Sequence, residues 1–539
     1  MNNASVKIIA VAGLIIGLTF GACQEEKITP EKVQVTLDSL EMKLDWLNYR
    51  LAEQQWEAYT GGRADSLEFY KSLYKHVLSN PATFNILNQG LNLLKEEEDL
   101  RRLELLRSFF LTHVVENQKE ISSLRDSLEF LKKTFEPEFM GSKIPIKDIL
   151  DTLYYNKNRI HREMAYRARY AVGHKMDKGM ERLFRIRNQE AHRNGYNNYL
   201  SMLFNREEYN QDEIYRFLNE LKTLTENTYE AIIQNVCSGL ALREVEIWDI
   251  PFYYAALFKE IDDYYPADSQ LKYMNAGLSE IGFSLNKLPL YFDLEYVPEM
   301  MPELHSLLIK SPFDQRITGK LGDGVQNANA LVKQVGEALY ASHIAQEKPI
   351  FNYLNDDTWT LSMKTIFAFI TEDRNWLERY IPMPRDLRER YLKAQREWKF
   401  INLRMLLVNL AFELEAYTNP RRDLNKVYWD IYEKYTLLPR HDDIKVWAVN
   451  MIYVERPLAQ KNSLLADIVA AQTIAYLKKN YGSMVGNPET KAFLVQNYFR
   501  FGSRYKWREL VQRGTGEELN PRYYMSYLDY QTGDTAGTN

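Results

Sequence analysis

Apolar residues recur at intervals of three and four along most of this chain, with charged residues between them. This period is typical of amphipathic α-helices that bury one face. It is clear over Val33 to Trp56, Leu91 to Thr134 and Leu331 to Tyr340, whereas continuous alternation of the β type is scarce. The pattern therefore predicts a mainly α protein with at most a small β element.

The composition fits a folded protein with a substantial core. Of the 539 residues, 45% are hydrophobic and 13% are aromatic, which is ample for a large domain. The 68 Lys and Arg residues nearly balance the 73 Asp and Glu residues, so the formal net charge is only −5. Because no long basic run with interleaved aromatics is present, the sequence argues against nucleic acid as a partner.

The N-terminus carries an export signal. Lys7 precedes the apolar run from Ile8 to Phe20, and the small residues Gly21 and Ala22 lead into Cys23. The run is shorter than the roughly 20 residues that span a bilayer. It resembles a bacterial lipoprotein signal, which implies cleavage before Cys23 and acylation of that cysteine. Phe20 stands where Leu is usual, and an ordinary cleaved export signal is the alternative.

Either signal implies an exported protein. The lipoprotein interpretation implies a lipid-anchored protein of the cell envelope, at the outer membrane or cell surface. No later segment is apolar for long enough to cross a membrane, so the lipid anchor is the only predicted membrane contact. With Cys23 acylated, Cys237 is the one cysteine left, and no intrachain disulfide is expected.

Several short motifs occur in a fixed order after residue 180. The first is Arg187-Asn188 with Glu190-Ala191, Gly195-Tyr196 and Tyr199, and the second is Trp248-Asp249 with Tyr253-Tyr254. This order resembles the gluzincin zinc metallopeptidases related to angiotensin-converting enzyme and the thimet-type oligopeptidases. The resemblance covers roughly residues 60 to 500 and implies a large, two-lobed helical fold with a deep central cleft.

The helix predicted over Leu331 to Tyr340 resembles the active-site helix of that family, which reads H-E-x-G-H-A-L-Y. Two His at i and i+4 bind zinc there and the Glu acts as base. In this chain Gly336, Ala338, Leu339 and Tyr340 keep the frame. The positions of the ligands and the base hold Lys333, Gln334 and Glu337 instead.

Other expected groups are missing as well. Where the resemblance places the third zinc ligand, a Glu, the chain has Met363, whose thioether is a poor zinc ligand. Where the family has tyrosines that stabilise the oxyanion, the chain has Ala459 and Ser463. These concerted losses predict no catalytic residue, no metal ligand and no zinc cofactor. One hypothesis is that Lys333 pairs with Glu337 across one helical turn and, with Gln334, fills the space of the zinc; the alternative is that Lys333 faces solvent.

The histidines offer no replacement motif. They are His76, His113, His161, His174, His192, His305, His343 and His441, and no two are four residues apart. An active metallopeptidase, similar to a peptidyl-dipeptidase or an oligopeptidase, is nevertheless an alternative. It requires His305, His343 or His441 to converge with carboxylates in an unusual metal site.

The sequence thus predicts four segments and one main function. The segments are a signal peptide at 1–22, a tether at 23–32, a two-lobed peptidase-like domain at 33–515 and a C-terminal tail at 516–539. The expected function is that of an exported, catalytically inactive relative of zinc peptidases. It would bind peptides or serve as an accessory subunit of a surface or periplasmic complex, and a purely structural scaffold is a third possibility.

Overall fold

Helices dominate the structure, a computed structural model that describes residues 27–206, 209–295 and 297–530. Cys23 and the predicted signal peptide lie outside the described residues, as does the segment 531–539. Within the described part, β structure is limited to two small sheets with five short strands. The mainly α fold class predicted from the hydrophobic period is confirmed.

Five helices build the N-terminal part: α1 (Pro30–Tyr59), α2 (Leu67–Leu78), α3 (Pro81–Gly90), α4 (Glu97–Glu116) and α5 (Lys119–Thr134). Helix α1 begins inside the predicted tether, with Pro30 at its first position and Thr29 as its cap. The Thr29 hydroxyl accepts a hydrogen bond from the backbone N–H of Lys32 at 3.3 Å, which satisfies a donor that the first turn leaves free. Leu37 and Leu44 of α1 form a small core with Leu87, Leu103 and their neighbours.

A two-stranded hairpin and seven helices follow. They are β1 (Glu138–Phe139), β2 (Ser142–Lys143), α6 (Ile146–Tyr155), α7 (Arg159–Tyr170), α8 (Gly173–Arg193), α9 (Tyr199–Arg206), α10 (Gln211–Gly239), α11 (Asp249–Asp262) and α12 (Ala267–Glu280). Helix α8 ends where the sequence predicts. Gly195 lies just beyond its end with a φ of +84°, a conformation that glycine adopts without strain.

The second sheet has three strands: β3 (Leu290–Asp293), β4 (His305–Lys310) and β5 (Asp314–Thr318). The strand order is β3-β5-β4, with β3 parallel and β4 antiparallel to β5. Strand β4 is therefore an edge strand. Helix α1 packs against it, because Ala52 and Trp56 share a cluster with Leu307 and Ile309.

Eleven helices complete the fold: α13 (Val325–Ala341), α14 (Ile350–Tyr353), α15 (Asp357–Thr371), α16 (Arg374–Tyr380), α17 (Arg385–Thr418), α18 (Leu424–Thr436), α19 (Ile452–Glu455), α20 (Ala459–Tyr481), α21 (Glu489–Asn497), α22 (Trp507–Thr515) and α23 (Arg522–Tyr530). Helix α15 lies between α13 and α20 and packs closely against both. Its side chains Trp359, Phe367 and Ile370 are buried in the main core, so α15 positions the two helices on which the site depends.

The last described helix belongs to the main core. Tyr524, Tyr527 and Leu528 of α23 are buried, and the Tyr527 ring stacks on Phe369 of α15 with 4.1 Å between ring centroids. The segment assigned from the sequence to a C-terminal tail, 516–539, thus contains a helix that packs into the domain. Across the described ranges, every helix is too short or too polar to span a membrane.

Candidate functional site

Helices α13 and α15 cross closely at Gly336. A Cβ atom at this position would lie 2.8 Å from the Phe367 ring and 3.3 Å from the Cα of Lys364. A side chain at this point would force the two helices apart, because protein cores are close-packed. The glycine of the predicted active-site frame therefore has a packing role in this chain.

The six predicted positions lie on three helices. Lys333, Gln334 and Glu337 are on α13, Met363 is on α15, and Ala459 and Ser463 are in the first turns of α20. Since α15 packs against both other helices, the fold gathers these segments around one central helix. Their role as degenerate active-site positions stays a prediction.

Glu337 forms an ion pair with Lys364. The Lys364 Nζ donates to the Glu337 carboxylate at 2.5 Å, and both side chains are more than four-fifths buried. Lys364 also approaches the Gln334 side-chain oxygen at 3.4 Å, and that oxygen accepts the backbone N–H of Ser306 at 3.1 Å. The predicted pairing of Glu337 with Lys333 is wrong, because the ammonium that reaches Glu337 comes from the neighbouring helix.

Lys333 is exposed. Burial raises the pKa of the Asp467 carboxyl on α20, and the ammonium groups of Lys399 and Lys333 partly offset that rise. Asp467 lies four residues after Ser463, on the same face of α20. The alternative in which Lys333 faces solvent therefore describes its position.

The other three positions have no reactive environment. Met363 is fully buried in the main core, where its flexible thioether fills space between helices. Ser463 donates a hydrogen bond of 3.4 Å to the backbone carbonyl of Ala459 in its own helix. Neither a thioether in a core nor a hydroxyl bonded to its own helix is a prepared oxyanion donor.

The residues at this site do not fit a zinc ion. Zinc sites are built from deprotonated Cys, His and carboxylate ligands, whereas the frame here supplies an exposed lysine, an amide and one carboxylate. The Lys364 ammonium already neutralises that carboxylate and would repel a divalent cation. Among the described residues, no group of three His, Cys, Asp or Glu side chains is placed to hold a metal.

The three histidines of the alternative metal site lie in separate surroundings. A ring nitrogen of His343 bonds the Leu339 carbonyl at 2.8 Å, and the His441 ring bonds the Glu246 carboxylate at 2.8 Å. The His305 ring, on β4, packs against the Tyr59 ring of α1 in a tilted arrangement with 4.5 Å between ring centroids. Burial lowers the pKa of His305; the nearby Glu303 carboxylate opposes this shift, and the Lys364 ammonium adds to it.

Two adjoining cavities lie beside this site, between α1, α2, α4 and the start of α15. Their volumes are about 380 Å³ and about 420 Å³, and Asn48, Tyr74 and Tyr353 line both. The second cavity runs along β4 from Ser306 to Lys310 and reaches Ser311 just beyond the strand. Since the Ser306 backbone also bonds Gln334, the cavity wall is joined directly to the cluster of Gln334 and Lys364.

Arg187, from the first motif, is a structural brace. It is fully buried and donates to the Glu116 carboxylate at 2.9 and 2.7 Å and to the Tyr417 hydroxyl at 3.0 Å. Tyr199 of the same motif donates to Glu116 at 2.5 Å. Asn188 links the backbone of Tyr417 and of Tyr199. The motif thus ties α4, α8, α9 and α17 together.

Asp249, from the second motif, has a similar role. It is fully buried and accepts hydrogen bonds from Arg159 at 3.0 Å and from Arg162 at 2.6 Å. Its other partner is the backbone N–H of Glu246 at 3.0 Å. A buried carboxylate needs such partners to offset its desolvation, and here they fix the start of α11 against α7.

The comparison with known families matches the region that holds both braces. Residues 152–281 match the family described as Peptidase family M3. This segment is related to the M3 peptidases. The mainly α architecture agrees with that relationship. A search of curated proteins finds no match to the chain. The M3 match ends before α13. The assignment of the six predicted positions to a former active site is therefore supported only by the order of motifs along the sequence.

Sequence reasoning missed the residues that contact the predicted positions. Lys364 is next to Met363, and its proximity to Glu337 follows from the close crossing at Gly336, which periodicity does not reveal. Ser306 contributes only its backbone, so no motif could have singled it out. Ala459, Ser463 and Asp467 are spaced four residues apart, so they share one face of a helix. This spacing was the only feature of the sequence that could have indicated Asp467.

Proposed function

We propose that this chain is an exported, catalytically inactive relative of the M3 peptidases that binds peptides in the cleft beside β4. The observation that carries the proposal is the ion pair between Glu337 and Lys364. Glu337 is on the helix that resembles the zinc-binding helix of the family, at the position where that resemblance expects the second His ligand, and the Lys364 ammonium of α15 is paired with it. A carboxylate held in this way satisfies its charge without a metal.

The adjoining cavities support peptide binding. Together they are large enough for several residues of an extended chain, and aromatic and amide side chains such as Tyr74, Tyr353 and Asn48 line them. The first cavity also holds Glu104, Asp356 and Asp357 against a single Arg101. This excess of carboxylates favours peptides that carry Lys or Arg side chains, because opposite charges improve complementarity.

Export and lipid anchoring belong to the same proposal. The segment before Cys23 resembles a lipoprotein signal, and the first helix begins seven residues after that cysteine. An anchored protein of this kind works at the cell envelope, on free peptides or as an accessory subunit of an envelope protein complex that handles them.

Metal analysis and a cleavage assay test the catalytic part. The purified full chain is analysed for bound zinc and incubated with quenched fluorescent peptides, with and without chelator. We expect no stoichiometric zinc and no chelator-sensitive cleavage. Bound zinc together with chelator-sensitive cleavage would overturn the proposal in favour of an active metallopeptidase.

Fluorescence anisotropy with labelled short peptides tests the binding part. We expect a Lys-containing peptide to bind more tightly than a matched Glu-containing peptide, and Glu104→Gln to reduce that preference. The matched control is Glu120→Gln, on the exposed surface of α5. Absence of binding to either peptide would contradict peptide capture and favour a purely structural scaffold.

A further inference from the structure

Helix α1 has an apolar stripe on its outward face. Val35, Met42 and Trp46 are 68%, 71% and 42% exposed. At 3.6 residues per turn they lie within about 40° of one another around the helix. Leu37 and Leu44, which point into the small core, lie on the opposite side. Helix α1 is therefore apolar on two faces, and only one of them is covered by the described fold.

Phe69 of helix α2 extends this stripe. It is 63% exposed, and its ring contacts Tyr70 with 5.3 Å between centroids. Tyr70 in turn contacts Trp46 at 5.7 Å. We call Val35, Met42, Trp46 and Phe69 the outer patch. Large apolar side chains that cluster on a surface mark a contact with a partner or a membrane.

The outer patch is close to Cys23 along the chain. Ile28 packs against the small core of α1, α3 and α4, and it is five residues from Cys23. Five residues span at most roughly 18 Å when fully extended, whereas the 30 residues of α1 extend about 45 Å. An acyl chain on Cys23 would therefore hold this end of α1 close to the bilayer.

We propose that the outer patch lies on the surface of the lipid bilayer that holds the acylated Cys23. This inference rests on the lipid anchoring in the proposed function and adds the face on which the protein docks. Tryptophan is favoured at the boundary between headgroups and acyl chains, and an apolar helix face binds there in the plane of the membrane. The short tether brings the patch within reach.

Charges around the patch have both signs. Lys71 pairs with Glu68 at 2.7 Å, and Asp38 pairs with Arg102 at 2.6 Å. The contact therefore depends on apolar burial and does not require anionic lipid.

Asn48, which lines both cavities, lies about 140° around the helix from Val35, so docking leaves the cavities facing away from the membrane.

Quenching of tryptophan fluorescence by brominated lipid tests the contact. The full acylated protein is reconstituted into uncharged phosphatidylcholine vesicles whose acyl chains carry bromine. We expect strong quenching for the wild type, loss of most of it in Trp46→Phe, and no such loss in the control Trp398→Phe. Trp398 is a partly buried tryptophan of α17. Equal quenching in the wild type and Trp46→Phe would overturn the proposal.

Two further measurements keep this test independent of folding and of anchoring. Met42→Ser with Phe69→Ser keeps Trp46 in place, and we expect it to reduce quenching while the circular dichroism spectrum stays unchanged. The mass of the N-terminal peptide shows whether Cys23 is acylated. An unmodified Cys23 overturns both anchoring and docking. If Cys23 is acylated but the Met42→Ser, Phe69→Ser variant is quenched as strongly as the wild type, only docking is overturned.

Discussion

The guanidinium of Arg187 donates two hydrogen bonds to the carboxylate of Glu116, which lies 71 positions earlier in the chain. The same guanidinium donates to the backbone carbonyls of Tyr453 and Val454 in α19. One side chain therefore joins α4, α8 and α19. Because the arginine is fully buried, loss of its partner would leave a charge without compensation.

We expect Arg187→Met to lower the free energy of unfolding by about 3 to 5 kcal/mol, because it removes the buried cationic partner of Glu116 and the donor to the Tyr453 and Val454 carbonyls. Arg125 and the Tyr199 hydroxyl still contact the Glu116 carboxylate in this variant. Urea denaturation measures the change. The control is Arg182→Met, whose partner Glu120 is on the surface with both side chains more than half exposed. Exposed pairs contribute about 0 to 1 kcal/mol, so equal losses in the two variants would contradict the brace.

The stabilisation from Glu116 depends on pH. Burial alone would raise the pKa of its carboxyl, but Arg187, Arg125 and the Tyr199 hydroxyl outweigh burial and hold that pKa below 4.5. A lowered folded-state pKa gives stability that is present above 4.5 and lost as the pH falls through the folded value. Wild type should therefore exceed Glu116→Gln in stability at neutral pH, and this gap should shrink below pH 4.5. Denaturant titrations across this range measure it, and a gap independent of pH would refute the assignment.

Gly336→Ala should destabilise the protein by about 1 to 3 kcal/mol, because the added methyl group overlaps the Phe367 ring and crowds the Lys364 backbone. Thermal unfolding provides the measurement. Phe367→Leu removes part of the obstructing ring, and we expect it to cost less stability in the Gly336→Ala background than in the wild type. If the stability losses of Gly336→Ala and Phe367→Leu simply add in the double variant, the two positions do not interact.

Zinc binding should be recoverable if the predicted positions mark a former metal site. The test protein carries Lys333→His, Gln334→Glu, Glu337→His, Met363→Glu and Lys364→Ala. We expect saturable zinc binding by isothermal titration calorimetry, because these changes supply two imidazoles and a carboxylate and remove the competing ammonium. The matched control keeps Met363 and should bind zinc more weakly. Similar zinc affinities in the two proteins would place the third ligand elsewhere.

Local chemistry explains why much of the fold was predictable. The three-and-four period locates α1 because its buried face from Val33 to Trp56 is apolar except for Glu41. Gly195 marks the end of α8 through its positive φ. The helical period extends over Leu91 to Thr134, yet within it the chain turns between α4 and α5 around Asn117 and Gln118. Apolar periodicity continues on both sides of such a break and does not reveal it.

Contacts between helices account for most of what the sequence did not reveal. The spacing of Lys333 and Glu337 permits a pair within one helix, but the close approach at Gly336 brings Lys364 nearer to the carboxylate. A buried, short contact between helices outweighs a solvated one along a helix. Likewise, the polar composition after residue 515 concealed α23, whose three buried side chains find their apolar partners in distant α15 and α20.

Helix α23 also determines when part of the main core can close during folding. Phe369 of α15 has its stacking partner at Tyr527 of α23, which is much later in the sequence. Synthesis from the N-terminus therefore leaves this part of the core uncovered until α23 has been made. A product truncated before residue 522 would expose an apolar surface of the kind that chaperones and proteases bind on incompletely folded chains.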